Sequence, residues 1–139
     1  TSIYRRWGDA ATMINDIATY QLDPNRPIPN SGDLRADLTR WLDEFLRHYR
    51  KPVNAALLRG GAAGAGESMT DCMRNRRAEA AAMLELHAPK AGPAVEDVVD
   101  QLIAPIVYRA IFLPWTLDDP DTATRLVSHL LAPYTAPTA

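Results

Sequence analysis

Cysteine is nearly missing from this chain: Cys72 is the only one in 139 residues. A single thiol forms no internal disulfide and no thiolate zinc cluster, and it suits a reducing, cytoplasmic setting. Strand signals are missing as well. No segment alternates with period two and β-branched residues sit inside helical patterns, so the fold class expected is all-α, a helical bundle. No apolar run is long enough for a bilayer, because the greasiest stretch, Leu102 to Trp115, is short and interrupted by Pro105 and Arg109. No signal peptide is expected either, since Arg5, Arg6 and Asp9 have no apolar run behind them. A surplus of positive charge is absent: the formal net charge is -2, which argues against this chain gripping phosphates by itself. His48, His87 and His129 lie on three separate segments, with no HExxH and no CxxC, so neither metal nor cofactor is expected. Cys72 falls on an apolar helix face and reads as core rather than nucleophile. Enzymatic activity is not expected.

What is present is helix after helix. Asp9 can cap a helix from Ala10 to about Tyr20, with Met13, Ile14 and Ile17 on one face. Pro24, Pro27 and Pro29 then mark a loop as far as Gly32. Asp33 to Arg50 is the clearest helix: Leu34, Leu38, Trp41, Leu42, Phe45 and Tyr49 form one stripe. Asp37, Arg40, Asp43, Glu44 and Arg47 fill the other face, a solvated surface with Asp43 and Arg47 placed to pair at i,i+4. Pro52 starts a further helix carrying Val53 and Leu57. That helix runs into Gly60, Gly61, Gly64 and Gly66, the weakest helical stretch, because each glycine costs about 1 kcal/mol relative to alanine. It is not a phosphate loop, for no Lys-Ser/Thr follows. Ser68 can cap the next helix, Met69 to Ala88, whose stripe is interrupted at Arg76 and Arg77, where a break is expected. A long helix follows from about Ala94 to Leu113. Asp119-Pro120 starts the last one, with Ala123, Leu126, Val127, Leu130 and Leu131 on a single stripe.

The long helix carries two apolar stripes. Val95, Val99, Leu102, Ile103, Ile106, Ala110 and Leu113 run its full length and are assigned to the protein's own core and a pocket wall. Val107, Tyr108, Ile111, Phe112 and Trp115 form a second stripe in the C-terminal half only. A helix apolar nearly all round must be covered on more than one side. The second stripe, joined by Val127, Leu130 and Leu131 of the last helix, is therefore expected to meet a second copy in a homodimer. Arg109, between the stripes, needs a carboxylate or carbonyl partner. Trp41, Phe45, Tyr49, Met73, Met83, Ile103 and Ile106 are the candidate walls of a small-molecule site, apolar and aromatic with few polar groups. The competing reading is a helical homodimerisation module whose interior is filled by side chains and takes no ligand.

Three motifs, taken together, resemble the TetR family of bacterial transcriptional repressors. Ser2-Ile3-Tyr4-Arg5-Arg6-Trp7-Gly8-Asp9 is similar to the end of that family's recognition helix and the turn after it. Ser31-Gly32-Asp33-Leu34-Arg35-Ala36-Asp37-Leu38 and Leu102-Ile103-Ala104-Pro105-Ile106-Val107-Tyr108-Arg109-Ala110 resemble its effector-binding C-terminal domain. The resemblance implies that residues 1–8 end a truncated helix-turn-helix and that 9–139 form the effector-binding and dimerisation domain of a homodimer. It also implies an unknown small-molecule effector and operator DNA held by an N-terminal reading head mostly missing from this fragment. Ser2 and Tyr4 would then be phosphate contacts of the parent protein. The lysine the family often carries one turn into the next helix is not found in Gly8-Asp9-Ala10-Ala11. The four glycines between 60 and 66 also depart from the family's sixth helix and suggest a loose gate beside the pocket.

Overall fold

The computed structural model describes residues 25–63, 70–87 and 92–134. The expected recognition-helix end at 1–8 with Ser2 and Tyr4, the helix at 10–20, the cap at Ser68, the side chain of Cys72 and the glycines at 64 and 66 lie outside the described residues. The described residues are all-α, as the sequence implies.

Helix α1, Leu34–Arg50, stands where periodicity puts it. Gly32 turns the chain into it with a φ of 93°, a conformation open chiefly to glycine. The Asp33 carboxylate then accepts the Ala36 N–H at 3.3 Å as the N-cap. Leu38, Trp41, Leu42, Phe45, Leu46 and Tyr49 are all buried. Each such side chain contributes about 1.5–3 kcal/mol on burial, against about 1 kcal/mol for a cap, so packing holds the helix in place. The outer face carries the expected Asp43–Arg47 pair at 2.9 Å.

Helix α2, Pro52–Ala63, continues through Gly60 and Gly61. Its inward face differs from the one expected: Asn54, Ala55 and Leu58 are buried while Val53 is 59% exposed. The Asn54 amide sets that phase by donating to the His48 carbonyl at 2.7 Å. Helix α3, Thr70–His87, does not break at Arg76-Arg77. Arg76 turns inward beside Glu79 at 3.2 Å, so an apparent interruption of the stripe is a charge buried with its counter-ion.

Val95–Val98, Val99–Ile103 and Ala104–Phe112 follow one another without a break and are together called α4. The middle segment is a π-turn, in which the Ala104 N–H reaches back to the Val99 carbonyl. Pro105 explains it: a proline inside a helix removes a donor and crowds the carbonyl four residues back, and the wider π-turn makes room. Pro114–Asp118 is a 3₁₀ turn that buries Leu117.

Helix α5, Thr122–Leu131, begins later than Asp119-Pro120 suggests. The Asp119 carboxylate takes the Asp121 N–H at 2.9 Å and the Asp119 carbonyl takes the Thr122 hydroxyl at 3.1 Å, which makes these residues a turn ahead of the helix. α5 lies against α1, and both helices reach the core cluster that Leu102, Ile103, Ile106 and Ala110 of α4 complete.

Candidate functional site

Beside that core, α3 and α4 enclose a groove of about 540 Å³. Its α4 wall is Val99, Ile103, Ala104, Val107, Tyr108, Ile111 and Phe112, and its α3 wall is Met73, Arg74 and Arg77. The volume lies within the range of small-molecule sites, about 300–1,000 Å³. Among the lining residues there is no carboxylate and no imidazole, and the surface the groove offers is almost wholly apolar, Arg74 and Arg77 included.

The rings on its outer lip and just beyond it are open to solvent. Tyr108 is 55% exposed, Phe112 63% and Trp115 68%. Tyr108 and Phe112 stand one turn apart with ring centroids 5.4 Å from each other, so they form a continuous aromatic face. Val107 and Ile111, next to them, are half-buried against the core.

The structure distributes the candidate pocket residues unevenly. Met73 and Ile103 line the groove. Trp41, Phe45, Tyr49, Met83 and Ile106 are sealed in the core, with Trp41 spending its indole N–H on Glu79 at 3.1 Å. The stripe meant for a partner is divided too. Val107, Tyr108, Ile111 and Phe112 line the groove, and Trp115 projects beyond it. Val127, Leu130 and Leu131 are buried within this chain, because α5 turns its stripe onto α1. Residues the sequence did not single out for the site are Ala104, Arg74 and Arg77. Val99 was on the pocket-wall stripe. The i,i+3 spacing of the two arginines directly after Met73 was the available signal for a shared rim.

A second set of groups is buried and polar. Glu79 accepts the Trp41 indole and Arg26 at 2.6 Å, with Arg76 at 3.2 Å beside it. Asp37 receives the Ser31 hydroxyl at 2.7 Å, the Ser31 N–H, and His87 Nε2 at 2.8 Å. Burial pushes the Asp37 pKa up, but the Ser31 hydrogen bonds and His87 outweigh it and hold the carboxyl below its ordinary value. His48 is lowered to about 4, first by burial and then by the charges of Arg76, Lys51 and Arg26, so it is neutral near pH 7. Its Nε2 and the Asn54 Oδ1 have no hydrogen-bond partner among the described residues. Arg109 is half-buried and its Nη1 has no partner among the described residues; its charge helps hold Asp119 below the ordinary carboxylate value, of which the Asp121 N–H is the main cause.

Among the described residues no group of three or more His, Cys, Asp or Glu could hold a metal ion, and no helix is long and apolar enough to cross a membrane. Residues 28–130 match the family described as tetracyclin repressor-like, C-terminal domain. Comparison with curated proteins and with solved structures gives no significant match.

Proposed function

The chain belongs to the tetracyclin repressor-like C-terminal domain family, and on that premise we propose that it is the effector-binding and dimerisation domain of a DNA-binding transcriptional repressor. The family is one of transcription regulators, which supports a non-enzymatic role. In this reading the parent protein is a cytoplasmic homodimer that holds its operator through an N-terminal helix-turn-helix. A small apolar or amphipathic ligand releases it.

One observation carries the reading. The α4 face that the chain's own core does not cover is also a wall of a groove of ligand size. Solvated aromatics at three positions on one short segment are costly for an isolated chain and useful at an interface, where aromatic side chains are enriched. A ligand seated against Val107 and Ile111 presses on the same helix that presents Tyr108 and Phe112 to a second subunit. That gives a direct mechanical route from occupancy to the spacing of two reading heads.

Light scattering of the 139-residue chain at tens of micromolar tests the assembly: a dimeric mass is expected and a monomeric mass overturns it. A thermal-shift series with uncharged lipophiles tests the ligand, since a compound at about 100 times its Kd adds about 2.7 kcal/mol to stability. A dimer that no lipophile stabilises would instead be the module without ligand.

A further inference from the structure

Resting on the effector-binding reading, we infer that the α3–α4 groove takes an uncharged, hydrocarbon-like molecule, held by apolar contact alone with no hydrogen bond from the protein. Val99, Ile103, Val107 and Ile111 recur at helical spacing and give α4 a wall roughly 18 Å long, enough for several linked rings. Val107 and Ile111 are half-buried, whereas Tyr108 and Phe112 are more than half exposed, so the floor lies deeper than its aromatic lip. A volume of about 540 Å³ is that of a small-molecule site rather than of a flat helix–helix seam. The floor is thus committed to a ligand and the outer rings to a second subunit.

The opposite wall does not change that chemistry. Met73, Arg74 and Arg77 lie along it, yet the surface they present with the rest of the lining is almost wholly apolar. The arginine stems cover the groove while their guanidinium groups are engaged elsewhere. Arg77 pairs with Glu96, which is not a lining residue, and Arg74 is not free either. Polar side chains that could anchor a ligand are held inside the fold: the Trp41 indole N–H goes to Glu79, and Asp37 holds Ser31 and His87. A polar group carried into the groove therefore exchanges water for carbon, and burial without a partner weakens binding. Charge weakens it most. Fit then depends on length and shape, and each methylene moved from water onto the wall tightens binding about fourfold.

The test uses the 139-residue chain and the neutral fluorophore N-phenyl-1-naphthylamine, whose emission rises in apolar surroundings. It is displaced by three probes on one skeleton: biphenyl, 4-phenylphenol and biphenyl-4-carboxylate. Biphenyl is expected to bind most tightly and the carboxylate at least about tenfold more weakly, with the phenol between them. Ala104 is an exposed lining residue, so it can be replaced without disturbing the core. Ala104→Trp should fill the groove and weaken all three probes. Ala104→Lys adds a cation at the groove and should tighten carboxylate binding about tenfold while leaving biphenyl nearly unchanged.

If the parent chain binds the carboxylate as tightly as biphenyl, or more tightly, and Ala104→Trp removes both, the groove holds a polar anchor. The uncharged assignment then falls and the effector-binding reading stands. If neither the fluorophore nor any probe binds, both fall. Should Ala104→Trp split a ligand-free dimer while no probe binds, the groove is a seat for the second subunit and the proposal is overturned.

Discussion

Between α1 and α3 this chain buries charge, whereas on the C-terminal half of α4 it leaves rings in water. Glu79 and Arg76 are almost wholly inaccessible, yet Glu79 accepts from Arg26 and the Trp41 indole and has the Arg76 charge 3.2 Å away. Tyr108, Phe112 and, in the turn after α4, Trp115 are more than half exposed, although Ile106 and Ala110 of α4 are completely covered. The contrast separates two kinds of departure from the usual pattern. A buried ion with its partners in place is compensated inside the chain, so breaking it is expensive. An exposed aromatic face has no compensation inside the chain, and changing it should leave the monomer almost untouched.

The largest effect should follow Glu79→Ala, which withdraws the acceptor shared by Arg26 and Trp41 and the counter-ion of buried Arg76. A loss of about 3–5 kcal/mol is expected, seen as a thermal midpoint lower by on the order of 10 °C. A shift of only one or two degrees would show that the buried network contributes little.

Next comes pH. The unfolded chain protonates a histidine near 6.5 while folded His48 resists until about 4. Stability should therefore fall as pH drops from 6.5 towards 4, by on the order of 3 kcal/mol, and this contribution should level off below that. Asp37, lowered in the fold, adds a loss of its own as pH falls through its folded value. Urea midpoints at several pH values, compared with those of His48→Gln, isolate the first effect: the variant should lose the slope between 6.5 and 4 that belongs to His48.

On the exposed side, Tyr108→Asp should lower the mass seen by light scattering while shifting monomer stability by no more than about 0.5 kcal/mol. A large loss of stability would mean that this ring belongs to the fold and would erase the contrast. The smallest effect is expected from Arg47→Ala. Its pair with Asp43 is a solvated i,i+4 contact worth about 0.3–0.5 kcal/mol, next to nothing beside Glu79, and a chemical-denaturation midpoint close to that of the parent chain checks it.

Helix positions were largely legible, because apolar spacing and caps act over a few residues. α1 with Asp33 at its head, α3 and the two-striped α4 can all be read that way. Polar residues that face inward could not be. Asp37 sits on the charged side of α1 by composition, but the structure turns it onto Ser31 and His87, and His87 is fifty residues away. Arg76 looked like a helix breaker until Glu79 and the core closed around it. The candidate site was half legible for the same reason. Spacing identified Ile103, Met73 and the Val107 to Phe112 stripe, but it could not tell which aromatic residues of α1 would be sealed, since Trp41, Phe45 and Tyr49 are equally apolar whether they face a cavity or a neighbouring side chain.

By itself the sequence determined an all-α chain, its helix order and a surplus of apolar surface on α4, since each depends on local periodicity and on composition. Only the tertiary structure decided that α5 spends Val127, Leu130 and Leu131 on α1, and that Arg74 and Arg77 come to rim the apolar wall of α4. Those outcomes depend on which helices meet and at what rotation. Contacts between residues far apart in the chain settle that, and no short window of sequence contains them.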